Sequence, residues 1–291
     1  MDRRNFLGAI SAAAILGRDF AWAMDEHRIR SLGLQLYTVR DVLKEDFDGT
    51  LAQLAAIGYR EVELGDAVDK PPKVVRDALV RNGLVAPSTH VPYKSLEDNW
   101  PKVIEDCKIV GHSYIVNPWI DEEVRNQPDG WKRAAETFNR AGEISKKAGI
   151  QFAYHNHWLE FIPTADGKLP YDILLERCDP DLVKMQMDLC WITVGGQDPL
   201  KYFARYPGRF PMVHVKDLKR VPDAASVQGG RFAGADMTEI TEIGSGVIDW
   251  KRIFSHSEQA GIKHYFVEHD NPKRPMESVR TSYEYLERLR F

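Results

Sequence analysis

The feature that most constrains this chain is a repeating rhythm. Short β-rich runs recur eight times, at Leu32 to Tyr37, Glu61 to Leu64, Leu84 to His90, Tyr114 to Asn117, Gln151 to His155, Val183 to Asp188, Pro211 to Val215 and His264 to Glu268. Segments of helical period lie between them. Thr50 to Ile57 sets Leu51, Leu54 and Ile57 on one face, and Trp131 to Ala148 sets Ala134, Phe138, Ala141 and Ile144 on one face. Gly58, Gly83, Gly111, Gly149 and Gly261 stand where helix C-caps need left-handed backbone. Strands that alternate with helices pair in parallel through right-handed crossovers, and eight such units can close on themselves. The expected fold class is therefore α/β, a (β/α)8 TIM barrel, with an open doubly wound sheet as the alternative. No Gly-x-Gly-x-x-Gly turn follows the first strand, which weakens the dinucleotide-binding form of that sheet.

Residues 1–23 stand apart from this rhythm. Arg3 and Arg4 precede an apolar run from Phe6 to Leu16, and Ala21, Trp22 and Ala23 offer an A-x-A cleavage site. The paired arginines, followed one residue later by Phe-Leu, resemble the twin-arginine export signal, which carries folded proteins to the bacterial periplasm. That resemblance implies a periplasmic protein whose residues 24–291 form a single barrel domain. The apolar run is too short to span a bilayer comfortably, so no stable membrane span is expected. Cys107, Cys178 and Cys190 show no Cys-x-x-Cys spacing, which argues against a disulfide framework and a thiolate zinc site. With 39 Lys and Arg against 43 Asp and Glu, the net charge of −4 lacks the basic surplus that a nucleic-acid partner demands. The oligomeric state is open, a homo-oligomer included. From Leu218 to Val247 the chain loses its periodicity after the seventh strand, which reads either as a functional loop over the catalytic face or as a disordered insertion.

In a barrel of this type, function is read at the C-terminal ends of the strands. The ionisable residues there are Glu63, His90, His155, Asp188, His214 and Glu268, each closing an apolar run. A buried carboxylate or imidazole is costly unless it is paired or bound to a cation, so several converging on one barrel mouth point to a metal. Carboxylates mixed with imidazoles suit Mn²⁺, Mg²⁺, Co²⁺ or Zn²⁺. His157 lies two residues after His155 and projects the same way if the strand continues. Lys216 and Asp217 follow the strand-seven histidine and could bind substrate oxygens or form a solvated pair. Trp119, Trp158 and Trp191 sit just after strand ends, where an indole can stack on a sugar ring or simply pack.

The succession of HVPY at His90, YHNH at Tyr154, MDLCW at Met187, VHVKD at Val213, GSGVIDW at Gly244 and FVEHD at Phe266 resembles the xylose-isomerase-like TIM-barrel superfamily. The resemblance, which includes the sugar phosphate isomerase/epimerase family, runs over essentially all of residues 24–291. That superfamily groups sugar-phosphate isomerases and epimerases, inosose dehydratases and endonuclease-IV-type enzymes. Its epimerases hold a divalent metal with a Glu ending strand five, an Asp ending strand six, a His on strand seven and a Glu ending strand eight. The last three match Asp188, His214 and Glu268, whereas His155 stands at the strand-five position. The implied metal set is thus His155, Asp188, His214 and Glu268, with one negative charge and one proton-shuttling glutamate fewer than in the epimerases. Of the histidines that the DNA-cutting branch uses, His90 has a counterpart, but Asn117 and Trp191 stand near where two others would be. Together with the negative charge this argues against DNA cleavage.

A divalent ion that chelates a hydroxyl and an adjacent carbonyl acidifies the C–H between them, and a neighbouring base can then take that proton. Glu268, His157 and His155 are the candidate catalytic groups. Glu63, His90, Lys216, Trp191, Trp119 and Trp158 are the candidates for binding substrate. Reprotonation gives isomerisation or epimerisation of a sugar or polyol, the leading expectation. Loss of a β-leaving group gives an inosose-dehydratase-like lyase acting on a keto-sugar or 3-keto-glycoside, the alternative. A non-catalytic sugar-binding or partner barrel is a third reading, since one family glutamate is missing. Export pulls against a phosphorylated substrate, and the GSG at Gly244 is the one Gly-rich segment that could cradle a phosphate at a helix start.

Overall fold

In the computed structural model, described over residues 27–223, 227 and 239–291, eight short strands pair in parallel and close into a barrel. They are β1 (Leu32–Gln35), β2 (Glu61–Leu64), β3 (Val85–His90), β4 (Tyr114–Asn117), β5 (Gln151–His155), β6 (Val183–Asp188), β7 (Met212–Val215) and β8 (His264–Val267). β8 pairs with both β1 and β7, which closes the ring and excludes the open sheet. The export-signal reading of residues 1–23 lies outside the described residues. Among the described residues, no helix is long and apolar enough to cross a membrane.

Alternation along each strand divides the side chains between two environments. β2 reads Glu-Val-Glu-Leu: Val62 and Leu64 join the main hydrophobic core, whereas Glu63 meets residues of β1, β6 and β7 and so points at the barrel axis. One layer of the axis is apolar and built from Val116, Ala153, Met212 and Phe266. Gly33, in register with Phe266, makes this layer possible, because a Cβ there would stand 2.5 Å from the Phe266 ring. Nearer the C-terminal ends of the strands the lining becomes polar, and there the candidate residues gather.

The helices follow from simple signals. α1 (Phe47–Ile57) starts where Asp46 accepts a hydrogen bond from the Gly49 N–H at 2.9 Å. It ends at Gly58, whose φ of 130° only glycine adopts freely and whose missing side chain leaves room for Tyr283. α2 (Gly130–Lys147) buries Ala134, Phe138, Ala141 and Ser145. Ile144, expected on that face, is instead 48% exposed, because the 3.6-residue period carries the buried stripe from Ala141 to Ser145. β1 is shorter than expected: the Gln35 side chain accepts the Tyr37 N–H at 3.2 Å and turns Leu36–Val39 into a 3₁₀ helix.

The long segment after β7 is ordered at both its described ends. Asp217–Leu218 pairs antiparallel with Ile240–Thr241, and Val227 is buried in a cluster with Cys190, Trp191, Val194, Leu218 and Ile240. Residues 224–226 and 228–238 lie outside the described residues, and the two readings of that stretch rest there.

Candidate active site

The polar layer starts from Glu63, fully buried on β2. One oxygen, Oε1, accepts from Ser88 Oγ and from Gln186 Nε2 at 2.6 Å. The other, Oε2, accepts from Gln35 Nε2 at 2.8 Å and from His214 Nε2 at 2.5 Å, with His90 Nε2 at 3.1 Å. Burial alone would push this carboxyl up, but the His90 and His214 imidazoles outweigh it and hold the group well below the usual carboxylate range.

Because Gln186 gives its NH₂ to Glu63, its Oε1 faces the other way, toward His90 Nε2 at 2.8 Å and His155 Nδ1 at 3.1 Å. An amide oxygen only accepts, so both imidazoles present N–H to it. His155 therefore carries its proton on Nδ1 and keeps a lone pair on Nε2. Burial, followed by the neighbouring His214, His157, His90 and Lys216, holds His155 well below the usual imidazole range, so the ring is neutral.

The second half of the layer holds Asp188, His214, Lys216, Glu268 and Asp270. His214 has both nitrogens committed, Nε2 to Glu63 and Nδ1 to Glu268 Oε2 at 2.8 Å. Burial disfavours its charge, but Glu268 and Glu63 outweigh burial and raise it to about 10, so it is an imidazolium at neutral pH. The ammonium of Lys216 stands 2.9 Å from Glu268 Oε2, 2.8 Å from Asp270 Oδ2 and 3.3 Å from Asp188 Oδ2. Its fourth neighbour is the face of Trp191, with the ring centroid 4.8 Å away. Asp188 caps the helix that follows β6 through Oδ1, which accepts the Trp191 N–H at 2.7 Å. Its Oδ2 is buried with no hydrogen bond, and burial, offset in part by Lys216 and His214, raises the carboxyl to about 6. Ligand atoms of Asp188, His214 and Glu268 lie within 4.8 Å of one another, as do those of His90, His155 and His214.

Above this layer opens a cavity of about 600 Å³, lined among others by Tyr37, His90, Tyr93, Trp119, His155, His157, Trp158, Glu268 and Asp270. His157 is half-buried, its Nδ1 is buried without a hydrogen bond, and desolvation lowers the imidazole to about 3. Its ring meets Trp119 edge-on at 5.2 Å and His155 at 4.8 Å.

The chain matches the family described as xylose isomerase-like TIM barrel over residues 51–289. It belongs to that family. Among solved structures, a sugar phosphate isomerase/epimerase from Parabacteroides distasonis aligns with a TM-score of 0.72 at 27% identity, covering 88% of this chain and 93% of that one. Among relatives in sequence, an inosose dehydratase of Lacticaseibacillus casei is 25% identical over 267 residues, covering 83% of this chain and 89% of its own length. One from Clostridium perfringens is 24% identical over 250 residues, covering 78% and 83%. A zinc-bound IolI protein shares the fold at 15% identity and a TM-score of 0.67, covering 87% of this chain and 95% of that one.

Within this family fold, the sequence-derived residues fall into three groups. Asp188, His214 and Glu268 converge, whereas His155 groups with His90 and His214 on the other side of the strand-seven imidazole. His155, His157, His90, Trp119, Trp158 and Glu268 line the cavity. Glu63 and Lys216, candidates for binding substrate, Trp191, which could stack on a sugar or pack, and Asp217, read as a substrate contact or a solvated pair, are all buried. Glu63 is sealed beneath the imidazoles by its own hydrogen bonds, Lys216 is only 1% exposed among three carboxylates, and Trp191 is buried against Lys216. Asp217 is buried as well. It accepts from Gly244 N at 2.9 Å, Gly246 N at 3.2 Å, Ile248 N at 3.3 Å and Trp250 Nε1 at 3.0 Å. The Gly244 and Gly246 N–H groups are thus taken by Asp217, and the Ser245 N–H goes to the Glu242 carbonyl, so the GSG segment has no N–H left over for a phosphate.

Gln186 and Asp270 escaped the reading of the sequence. Each had a signal in the two-residue period: Gln186 precedes Asp188 by two and shares its face of β6, and Asp270 follows Glu268 by two.

Proposed function

We propose that the chain is a divalent-metal-dependent enzyme that removes a proton from the carbon beside a carbonyl of an unphosphorylated keto-sugar or keto-polyol and then expels a β-oxygen, a dehydratase or lyase. The observation that carries this reading is the buried Asp188 Oδ2, which accepts no hydrogen bond and has only the Lys216 ammonium at 3.3 Å, in a cage with His214 and Glu268. An anionic oxygen without a hydrogen bond is costly to bury and fits a cation ligand. The donor set, two carboxylates and an imidazole, suits Mn²⁺, Mg²⁺, Co²⁺ or Zn²⁺. Since both His214 nitrogens carry protons, ligation through either releases one of them. The bound ion would draw electrons from an adjacent hydroxyl and carbonyl and so acidify the C–H between them.

The chain's own residues supply the rest. His155 Nε2, unprotonated because Nδ1–H is given to Gln186, accepts the proton. The resulting imidazolium returns it to the departing β-oxygen, which leaves as water or an alcohol, and the neutral base is regenerated. Trp119 and Trp158 offer faces for a sugar ring, and His157 lies between them and His155. The consumption of the GSG N–H groups within the protein supports an unphosphorylated substrate. The inosose dehydratase relatives favour elimination. The match to the sugar phosphate isomerase/epimerase favours a second reading, epimerisation at the same carbon.

Incubation of the purified, Mn²⁺-loaded protein with inosose and 3-keto-glycosides in D₂O tests both readings. A β-eliminated enone is the expected product, and deuterium beside the carbonyl on an intact skeleton means epimerisation. Protein that retains less than about a tenth of an equivalent of divalent metal and does not respond to added Mn²⁺ would sink the metal reading. Export to the periplasm remains part of the proposal. Fusion of residues 1–23 to a folded reporter tests it, with transport that requires Arg3 and Arg4 as the expected result.

A further inference from the structure

We propose that Lys216 is the resident cation of the Asp188–Glu268 cage, and that a divalent ion enters by displacing its ammonium from these two carboxylates toward Asp270. The inference rests on the metal reading above. Lys216 follows His214 by two residues and therefore projects from the same face into the barrel. Its side chain is 1% exposed, and its ammonium stands 3.3 Å from Asp188 Oδ2 and 2.9 Å from Glu268 Oε2, both members of the candidate metal group. A divalent ion on these two oxygens would stand within a few ångströms of that ammonium, and the repulsion between them in a buried site is only weakly screened.

The layer has room for a change of partner. Glu63, Asp188, Glu268 and Asp270 supply four carboxyl groups against two cationic side chains, His214 and Lys216. Asp270 binds the ammonium at 2.8 Å and lies outside the metal group. It also lines the cavity, which gives a lysine released from Asp188 and Glu268 an anchor beside the substrate. The flexible four-carbon stem of lysine allows such a shift, whereas the rigid fork of an arginine would not. Lys216 thereby sets the affinity for metal, and metal loading delivers a positive charge toward the cavity.

Calorimetric titration of the full chain with Mn²⁺, together with the Mn²⁺-dependent shift of the melting temperature, tests this. Lys216→Met should bind Mn²⁺ at least about tenfold more tightly than the parent, because a competing charge is gone. Asp270→Asn should bind at least about threefold more weakly, because the displaced ammonium loses its anchor. If Lys216→Met folds only with metal present, Asp270→Asn carries the test by itself. Unchanged affinity in both variants, or weaker binding by Lys216→Met, overturns the proposal and leaves the metal reading standing. Absence of Mn²⁺ binding in the parent and in both variants overturns the two together.

Discussion

Around Glu63 four hydrogen bonds satisfy both carboxylate oxygens, whereas across His214 the Asp188 carboxylate keeps a buried oxygen without one. The two acids are equally buried and share one polar layer, yet their environments push them in opposite directions. Glu63 is held well below the usual carboxylate range, chiefly by His90 and His214 acting against burial, while burial raises Asp188 to about 6. A saturated network of this kind locks neighbouring rings in place, and an unsaturated one is left to bind something. Glu63 thus positions His90, His214 and Gln186, and through Gln186 fixes which nitrogen of His155 bears the proton. Asp188 and Glu268 hold the Lys216 ammonium and, in the reading proposed above, would hold a divalent ion.

The sharpest way to break this contrast is to remove each acid in turn. Asp188→Ala or Glu268→Ala should lower turnover of the keto-sugar by about 10³-fold or more while the far-ultraviolet circular dichroism stays that of a folded barrel. If either variant kept more than about a tenth of the activity, the metal site would be misplaced. Glu63→Ala should behave in the opposite way and cost about 3–5 kcal/mol of stability in urea unfolding, since it strands buried donors and the His214 charge. A loss below about 1 kcal/mol would show that the network is not structural.

A third test uses a histidine outside the site as the structural extreme. His112 is buried, gives its Nδ1–H to the Ala86 carbonyl at 2.7 Å, and is lowered by burial to about 4. The folded value lies below the unfolded one of about 6.5, so the stability contribution is intact above that pH and is lost as the pH falls toward 4. Between about pH 7.5 and pH 5 the loss is about 2 kcal/mol, and a His112→Gln variant should lack that part of the acid sensitivity in denaturant titrations. The smallest effect concerns the cavity wall. Trp119→Ala should raise KM for the sugar about fivefold with little change in melting temperature, as stacking supplies about 1 kcal/mol. An unchanged KM would assign the indole to packing alone.

Much of this molecule was legible in the order of its residues. The eight strands fall within one or two residues of the apolar runs, because local alternation and glycine caps act over distances of a few residues. The left-handed backbone at Gly58, Gly83, Gly111, Gly149 and Gly261 is an example. Strand-end position likewise selected Asp188, His214 and Glu268. What strand-end position could not supply was depth: Glu63, Lys216, Asp217 and Trp191 lie at or just after strand ends yet are buried in internal pairings, because depth along the barrel axis and the identity of the partner are set by residues 25 to 151 positions away.

By itself the sequence determined the class of fold, the registers at which polar side chains could enter the barrel, and the chemical types that meet at its mouth. Only the tertiary structure decided which of those groups satisfy one another. It paired Glu63 with His214, gave Gly244 and Gly246 to Asp217, set Lys216 among three carboxylates, and left one oxygen of Asp188 without a hydrogen bond. Strand period is a local property of the chain, whereas hydrogen-bond saturation is a property of closure, when eight separated strands bring their ends to one axis.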